Sequence, residues 1–203
     1  MPCTLSSEMI EQVTDFHGHW CPGLAIGLRA AEWALNELGR AGDEEIVAVV
    51  ETDMCGVDAI QYLVGCTFGK GNLIYLDYGK NAFSFYRRRD GKAARLVANP
   101  DLFGQPRHEL GQLQAKQEQQ ELSPQEQQQM VDLRAEMSRL LMEGELEDLF
   151  AIKPLAGSPP GKARVMTSLT CETCGEGTME TRTRRFRGQT VCIPCFTSLE
   201  QRL

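Results

Sequence analysis

No stretch of this 203-residue chain approaches the roughly 20 consecutive apolar residues needed to cross a bilayer, so no membrane partner is expected. The N-terminus, Met1-Pro2-Cys3-Thr4-Leu5, lacks a basic region followed by an apolar one; no secretory leader is read there, and a cytoplasmic protein is expected. In a reducing cytosol, disulfides are a poor account of the eight cysteines. Positive charge is also short in the main body. Residues 1–152 hold 13 Lys/Arg against 24 Asp/Glu, a net of −11, while residues 153–203 hold 8 against 4, a net of +4. Phosphate contacts need cations, so nucleic acid is not expected on the body and stays open only for the basic tail. The phosphate-loop pattern is missing as well. Around Gly69-Lys70-Gly71, Gly65 stands only four residues before Gly69, and Asn72 replaces the required Ser or Thr. Backbone amides of this loop, with Lys70, remain a candidate contact for an anion or substrate.

What is present suits one domain and a small appendage. With 42% hydrophobic residues the chain can bury a core. Ser6 and Ser7 precede a short amphipathic helix over Met9–Phe16. A longer helix follows, with Pro22 in its first turn, Gly39 as its stop, and Leu24, Leu28, Ala31, Leu35 and Leu38 at helical spacing. Ile46–Thr52 reads as a buried strand and Val57–Val64 as a helix. Leu73–Tyr78, Ala82–Arg88 and Ala93–Ala98 read as strands joined by hairpin turns at Gly79–Asn81 and Asp90–Gly91. Asn99–Gln120 is polar and glutamine-rich, an exposed helix or linker. Ser123-Pro124-Gln125-Glu126 is a helix start with the elements of a capping box, and Met130, Leu133, Met137, Leu140 and Leu141 form its packing stripe. Leu146–Phe150 continues the helical region. The prolines and glycines of Lys153–Lys162 mark a linker between a domain at 1–152 and a module at 163–203.

Cys171, Cys174, Cys192 and Cys195 form C-x2-C-x17-C-x2-C. Each pair can aim two sulfurs at one ion from a tight turn, and the intervening 17 residues allow a hairpin that completes a tetrahedron. Four thiolates close the coordination shell, which points to structural zinc in a zinc-ribbon or treble-clef-like module. No βαβ pattern surrounds either pair, which argues against a redox dithiol. Four arginines (182, 184, 185 and 187) flank Phe186 between the pairs. They suit nucleic acid, or a solvated face balancing the charge of the zinc–thiolate unit.

His17, His19 and Cys21 crowd five residues just before the long helix, and Cys55 occupies the matching place before the next one. A helix start favours thiolate over thiol, and two such cysteines beside a histidine would hold a soft metal. Glu51 and Asp53 lie close by in sequence as ligand, second partner or base. The bland reading is a capped turn at His17 and small core residues at Cys55 and Cys66.

Four motifs in order carry a resemblance: FHGHWCPGLAIGLRAA (Phe16–Ala31), ETDMCGVDAIQ (Glu51–Gln61), GCTFGKGNL (Gly65–Leu73) and DYGK (Asp77–Lys80). Together they resemble the FmdE family, named for the FmdE component of formylmethanofuran dehydrogenase, over about residues 10–150. A C-terminal four-cysteine finger also occurs in that family. The resemblance implies an α+β domain with a mixed or antiparallel sheet and packed helices, a homodimer, and a metal near His17, His19, Cys21 and Cys55. The family-matched positions also include Cys66, Lys70 and Lys80. The second ion is expected to be zinc.

The reading this supports is a metal-binding accessory protein acting with a molybdenum or tungsten oxidoreductase complex. Two alternatives stay open. One is a stand-alone metalloenzyme with an open metal at His17/Cys21/Cys55 and Glu51, Asp53 or Lys70 as acid–base groups. The other is a nucleic-acid-binding regulator acting through the zinc module.

Overall fold

In the computed structural model, which describes residues 2–201, the chain forms two compact units divided between Lys162 and Ala163. Met1, the first residue of the N-terminal reading, and residues 202 and 203 of the expected module lie outside the described residues. No helix among those described is long and apolar enough to cross a membrane.

The first unit is an α+β domain on a five-stranded mixed sheet of order β2-β1-β3-β4-β5. Its strands are β1 (Ile46–Val50), β2 (Leu73–Tyr75), β3 (Ala82–Arg87), β4 (Ala93–Ala98) and β5 (Phe150–Pro154). Their period-2 alternation puts apolar rows on alternate register lines. Val50, Phe83, Leu96 and Ile152 lie side by side, as do Ala48, Phe85 and Ala94. All seven pack into a single core with the helices.

The β3–β4 hairpin forms as its Asp90-Gly91 turn predicts. The turn at Gly79–Asn81 does not make a hairpin. β2 instead pairs parallel to one edge of β1, and β3 pairs antiparallel to the other. The segment between β1 and β2 is long enough for the crossover that a parallel pair requires. β5 is a second departure. Phe150–Pro154 follows α6 (Leu146–Leu149) and adds an antiparallel edge strand to β4, although its first residue, Phe150, is expected to end the helical region and its last two, Lys153 and Pro154, to begin the linker.

Helix α1 (Ser7–His17) is capped by the Ser6 hydroxyl, which accepts from the amide of Met9, and it stops at Gly18 in the left-handed region. Helix α2 (Pro22–Glu37) is the central element, with ten buried residues. Among these are Arg29 and Glu32, an ion pair at 2.9 Å. Arg29 donates to the carbonyls of Leu141 and Met142, at the C-terminal end of α5 (Pro124–Glu143). Glu32 accepts from the amide and hydroxyl of Thr4. The capping box at Ser123 and Glu126 is complete. Helix α4 (Gly104–Gln117) buries only Leu110, as its polar sequence requires. The expected helix after β1 is split into α3 (Gly56–Ala59) and a π-helical turn (Ile60–Val64) that ends at Gly65. Such turns are over-represented beside functional sites.

The second unit consists of two hairpins and a helix: β6 (Ser168–Thr170) with β7 (Gly177–Met179), β8 (Thr183–Phe186) with β9 (Gln189–Cys192), then α7 (Ile193–Glu200). A 3-10 turn, Glu180–Arg182, joins the hairpins. A helix that starts within the second cysteine pair, after a hairpin, suits the treble-clef-like arrangement.

Candidate metal centres

The N-terminal site is made by a close crossing of α2 and α3. Cys21 is the residue before α2, and its Sγ accepts from the amide of Leu24 at 3.3 Å. Cys55 is the residue before α3. Only glycines separate the two backbones. A Cβ on Gly23 would lie 3.3 Å from the Cβ of Cys55 and 3.8 Å from the Sγ of Cys21, and one on Gly56 would lie 3.0 Å from the carbonyl oxygen of Gly23. These small residues bring two helix starts, and so two thiols, together. Burial, with Cys21 as the second cause, raises the Cys55 thiol above its ordinary value.

The histidines arrive from α1. His17 ends that helix, and Gly18 turns the chain so that His19 follows it back; their rings stack at 4.5 Å between centroids. His17 Nδ1 lies 2.7 Å from Asp58 Oδ2 of α3. A carboxylate there accepts, so Nδ1 carries the proton and Nε2 presents its lone pair. That Nε2 is buried and has no hydrogen-bond partner. One ligand atom from each of His17, His19, Cys21 and Cys55 lies within 4.8 Å of the others. Metal–sulfur bonds of about 2.3 Å and metal–nitrogen bonds of about 2.0 Å put tetrahedral ligand atoms roughly 3.3–3.8 Å apart, so a small contraction closes this set around an ion. The donors are two nitrogens and two sulfurs, which suit zinc. Asp58 was not singled out in the sequence, since nothing in the spacing links it to His17, 41 residues away.

The other candidates are not among these four. Glu51 is committed to Arg95 by two short hydrogen bonds of 2.6 and 2.7 Å, and the guanidinium holds its carboxyl below the ordinary range. Asp53 is exposed. Cys66 is fully buried, its thiol pushed up to about 12 by burial, with Sγ 3.5 Å from the carbonyl of Ile46. Lys70 lies near Cys66, where its charge opposes the effect of burial, and near Glu45, whose carboxyl is held below its ordinary value chiefly by the Asp43 amide and in small part by Lys70. That is the end of β1 where the chain enters, whereas Cys55 follows the end where it leaves.

In the second unit, one ligand atom from each of Cys171, Cys174, Cys192 and Cys195 again falls within 4.8 Å of the others. The first pair sits in the turn between β6 and β7. Gly175 takes the left-handed conformation there and donates its amide to Cys171 O. The second pair ends β9 and begins α7. The amides of Cys174 and Cys192 pull the Cys171 thiol down to about 6. A hydrogen bond with Cys192 pushes Cys195 up to about 12. The apolar content is slight: buried Val191 beside Cys171 and Cys192, with Phe186 and Phe196 edge to face at 5.6 Å. The four arginines make short-range contacts. Arg182 and Arg184 donate to neighbouring threonine carbonyls, Arg185 donates to the Thr190 hydroxyl, and Arg187 stacks over Phe186 at 5.2 Å.

A family model described as "FmdE, Molybdenum formylmethanofuran dehydrogenase operon" matches residues 16–151. One described as "Prokaryotic dksA/traR C4-type zinc finger" matches residues 167–201. A curated protein of Archaeoglobus fulgidus, named "Probable S-adenosyl-L-methionine-binding protein", is 30% identical over 207 aligned positions, which cover 97% of this chain and 55% of that protein. The chain thus spans about half the length of this relative. Among solved structures, an FmdE-like protein of the tungsten formylmethanofuran dehydrogenase type, from Syntrophus aciditrophicus, matches with a TM-score of 0.63 over 99% of both chains. Its identity is 24%, so the likeness concerns the fold.

Proposed function

The chain belongs to the FmdE family, and from that premise we propose that it is a metal-binding accessory protein acting with or near a molybdenum or tungsten oxidoreductase. His17, His19, Cys21 and Cys55 would hold one ion, and the C4-type finger a structural zinc. The observation that carries the N-terminal ion is His17: one ring nitrogen is fixed by Asp58, while the other is buried and unpartnered, in a residue clustered with two thiols. An orphaned buried acceptor costs free energy unless a ligand meets it. The partner part rests on the family's description, an operon of the molybdenum enzyme. A homodimer belongs to the same reading, with exposed Phe16, Trp20 and Met54 supplying apolar surface near the cluster. Metal analysis of the purified chain tests the ion count. About two ions per chain are expected; about one, lost on deleting residues 163–203, would remove the N-terminal ion. Sedimentation tests the dimer, and co-purification with the oxidoreductase tests the partner.

A stand-alone metalloenzyme is the second reading, and His19 favours it. Unlike His17, His19 is exposed and is hydrogen-bonded to no described residue. Its displacement would open a coordination position, the mark of a catalytic ion. Exposed Asp53 is then the acid–base candidate, because Glu51 is already engaged by Arg95. Cobalt substitution separates the two readings. Absorption bands that shift on adding imidazole indicate an open position, and bands that do not shift indicate a closed shell.

A further inference from the structure

We propose that a cavity of about 300 Å³ beyond the C-terminal end of β1 binds a small organic anion, a phosphoryl group carried on an apolar body. Its walls bring together Lys80 and Asn81, from the segment before β3, and Arg107, from the first turns of α4. Ile26, Leu102 and Phe103 supply apolar surface, with Ile26 and Phe103 only 6% exposed.

Charge is the first argument. This domain is strongly acidic, and most of its cations sit in ion pairs with its carboxylates. Lys80 and Arg107 form no ion pair with any described residue, yet they line the same cavity from elements 27 positions apart. Glu51, whose carbonyl accepts from the Lys80 amide and whose carboxyl feels the Lys80 charge, is hydrogen-bonded by its carboxylate to Arg95 and not to Lys80. Lys80 Nζ also lies 5.8 Å from the Tyr78 ring centre, a contact that leaves its charge unneutralised.

Position is the second. The Lys80 amide donates to Glu51 O, and the Ala98 amide donates to Asn81 O, both at 2.9 Å, so the cationic segment is pinned to the sheet on two sides. The Asn81 side chain makes no hydrogen bond to a described residue and adds a neutral donor. Two cations, one a planar fork and one a point charge, match a dianion, and a phosphoryl group offers oxygens to both. Concave apolar surface beside a few convergent polar groups is how small organic ligands are held. The site is distinct from the metal cluster, since it shares no residue with it.

Calorimetric titration of the full chain with phenyl phosphate tests this. Phenyl phosphate should bind more tightly than inorganic phosphate, because the apolar surface contributes. Lys80→Gln and Arg107→Gln should each weaken it by about ten- to a hundredfold, the worth of a charge-assisted hydrogen bond. Both positions are exposed, so both variants should fold. Arg139→Gln, which removes an equal charge from a surface pair with Glu143, should leave binding unchanged. Cys55→Ala, which disables the metal cluster, should also bind normally, so the result is independent of the function proposed above. Unchanged affinity in Lys80→Gln and Arg107→Gln, or an equal loss in Arg139→Gln, would overturn the site. Equal affinity for inorganic phosphate would overturn the organic ligand.

Discussion

A Cβ placed on Gly27 would lie 2.1 Å from the carbonyl oxygen of Gly56. The obstacle is backbone and cannot swing aside, so Gly27→Ala must drive α2 and α3 apart. Overpacking of this kind costs about 1–3 kcal/mol. It should also pull Cys55 away from Cys21. Thermal unfolding and metal analysis should therefore show a less stable protein with an emptied N-terminal site. Gly23→Ala, whose closest approach is 3.3 Å to a side-chain atom, should be milder in both respects. A Gly27→Ala protein with full metal content would mean that the crossing does not position the thiols.

Asp58 should matter as a positioning residue. Its carboxylate fixes the tautomer and ring of His17, and loss of such partners typically weakens metal binding by about 10–100-fold. Asp58→Ala should show that loss in a competition titration against a chelator. Asp58→Asn, which keeps an acceptor oxygen, should lose less. Identical affinities for wild type and Asp58→Ala would detach Asp58 from the site.

Two cysteines before and after the same short helical segment should behave oppositely. Cys55→Ala should lose the N-terminal metal, and unfolding of its main domain should be the same with and without chelator. Cys66→Ala should keep that metal and lose about 1–2 kcal/mol whether or not chelator is present, because it vacates a fully buried core position. The comparison fails if Cys66→Ala is the variant that loses metal.

The Glu51–Arg95 pair predicts a pH effect of known sign. Arg95 lowers the folded-state pKa of Glu51 below its unfolded value near 4.5. The unfolded chain therefore binds the proton more readily. The stabilisation is complete above about pH 5 and is lost as pH falls through the folded-state value. The Glu51 side chain is only 8% exposed and Arg95 is partly exposed, so the charged hydrogen bonds are worth roughly 1.5–3 kcal/mol. Glu51→Gln should cost about that much at pH 7 and flatten the acid limb of the stability curve. A Glu51→Gln curve parallel to wild type between pH 5 and 3 would contradict it.

What the residues disclosed in advance was local or strictly spaced. Ser123 and Glu126 announce a capping box because both partners sit in one turn. The cysteine quartet announces itself by spacing, and the β3–β4 hairpin by Asp90-Gly91. The Cys21–Cys55 pairing could be suggested from two helix starts, but the glycine crossing that enforces it is tertiary. Partners set far apart were silent: Asp58 for His17, Arg95 for Glu51, and β5 for β4 across some 50 residues. Phe150–Pro154 has no strand pattern long enough to compete with the helical residues before it. Only the free edge of β4 makes it a strand. The Gly79 turn signal was real, since Gly79 does take the left-handed conformation, but a turn does not dictate which edge the next strand joins.

The zinc module should depend on its ion for its fold. Its buried apolar content is little more than Val191 and the ring pair Phe186–Phe196, and two of its buried residues, Cys171 and Cys192, belong to the cysteine quartet. A unit of some 40 residues with so small a core does not normally hold itself together without a metal or crosslinks. Cys174→Ser removes one thiolate from an exposed position where it packs against little, so the loss of fold it causes is attributable to the ion. The main domain has its own core and should survive. Trypsin reads out the difference. Arg88 donates to the carbonyls of Pro160 and Gly161, which ties the chain to the first unit up to that point. The first basic residues past the tie are Lys162 and Arg164, and residues 155–167 form no helix or strand. Cys174→Ser should be cut there and then digested onward, leaving a stable fragment ending near residue 162. Wild type with zinc should keep residues beyond 167 intact, and wild type in chelator should match the variant. If Cys174→Ser instead loses the N-terminal fragment as fast as the tail, the module is part of the main fold and not an independent zinc-dependent unit.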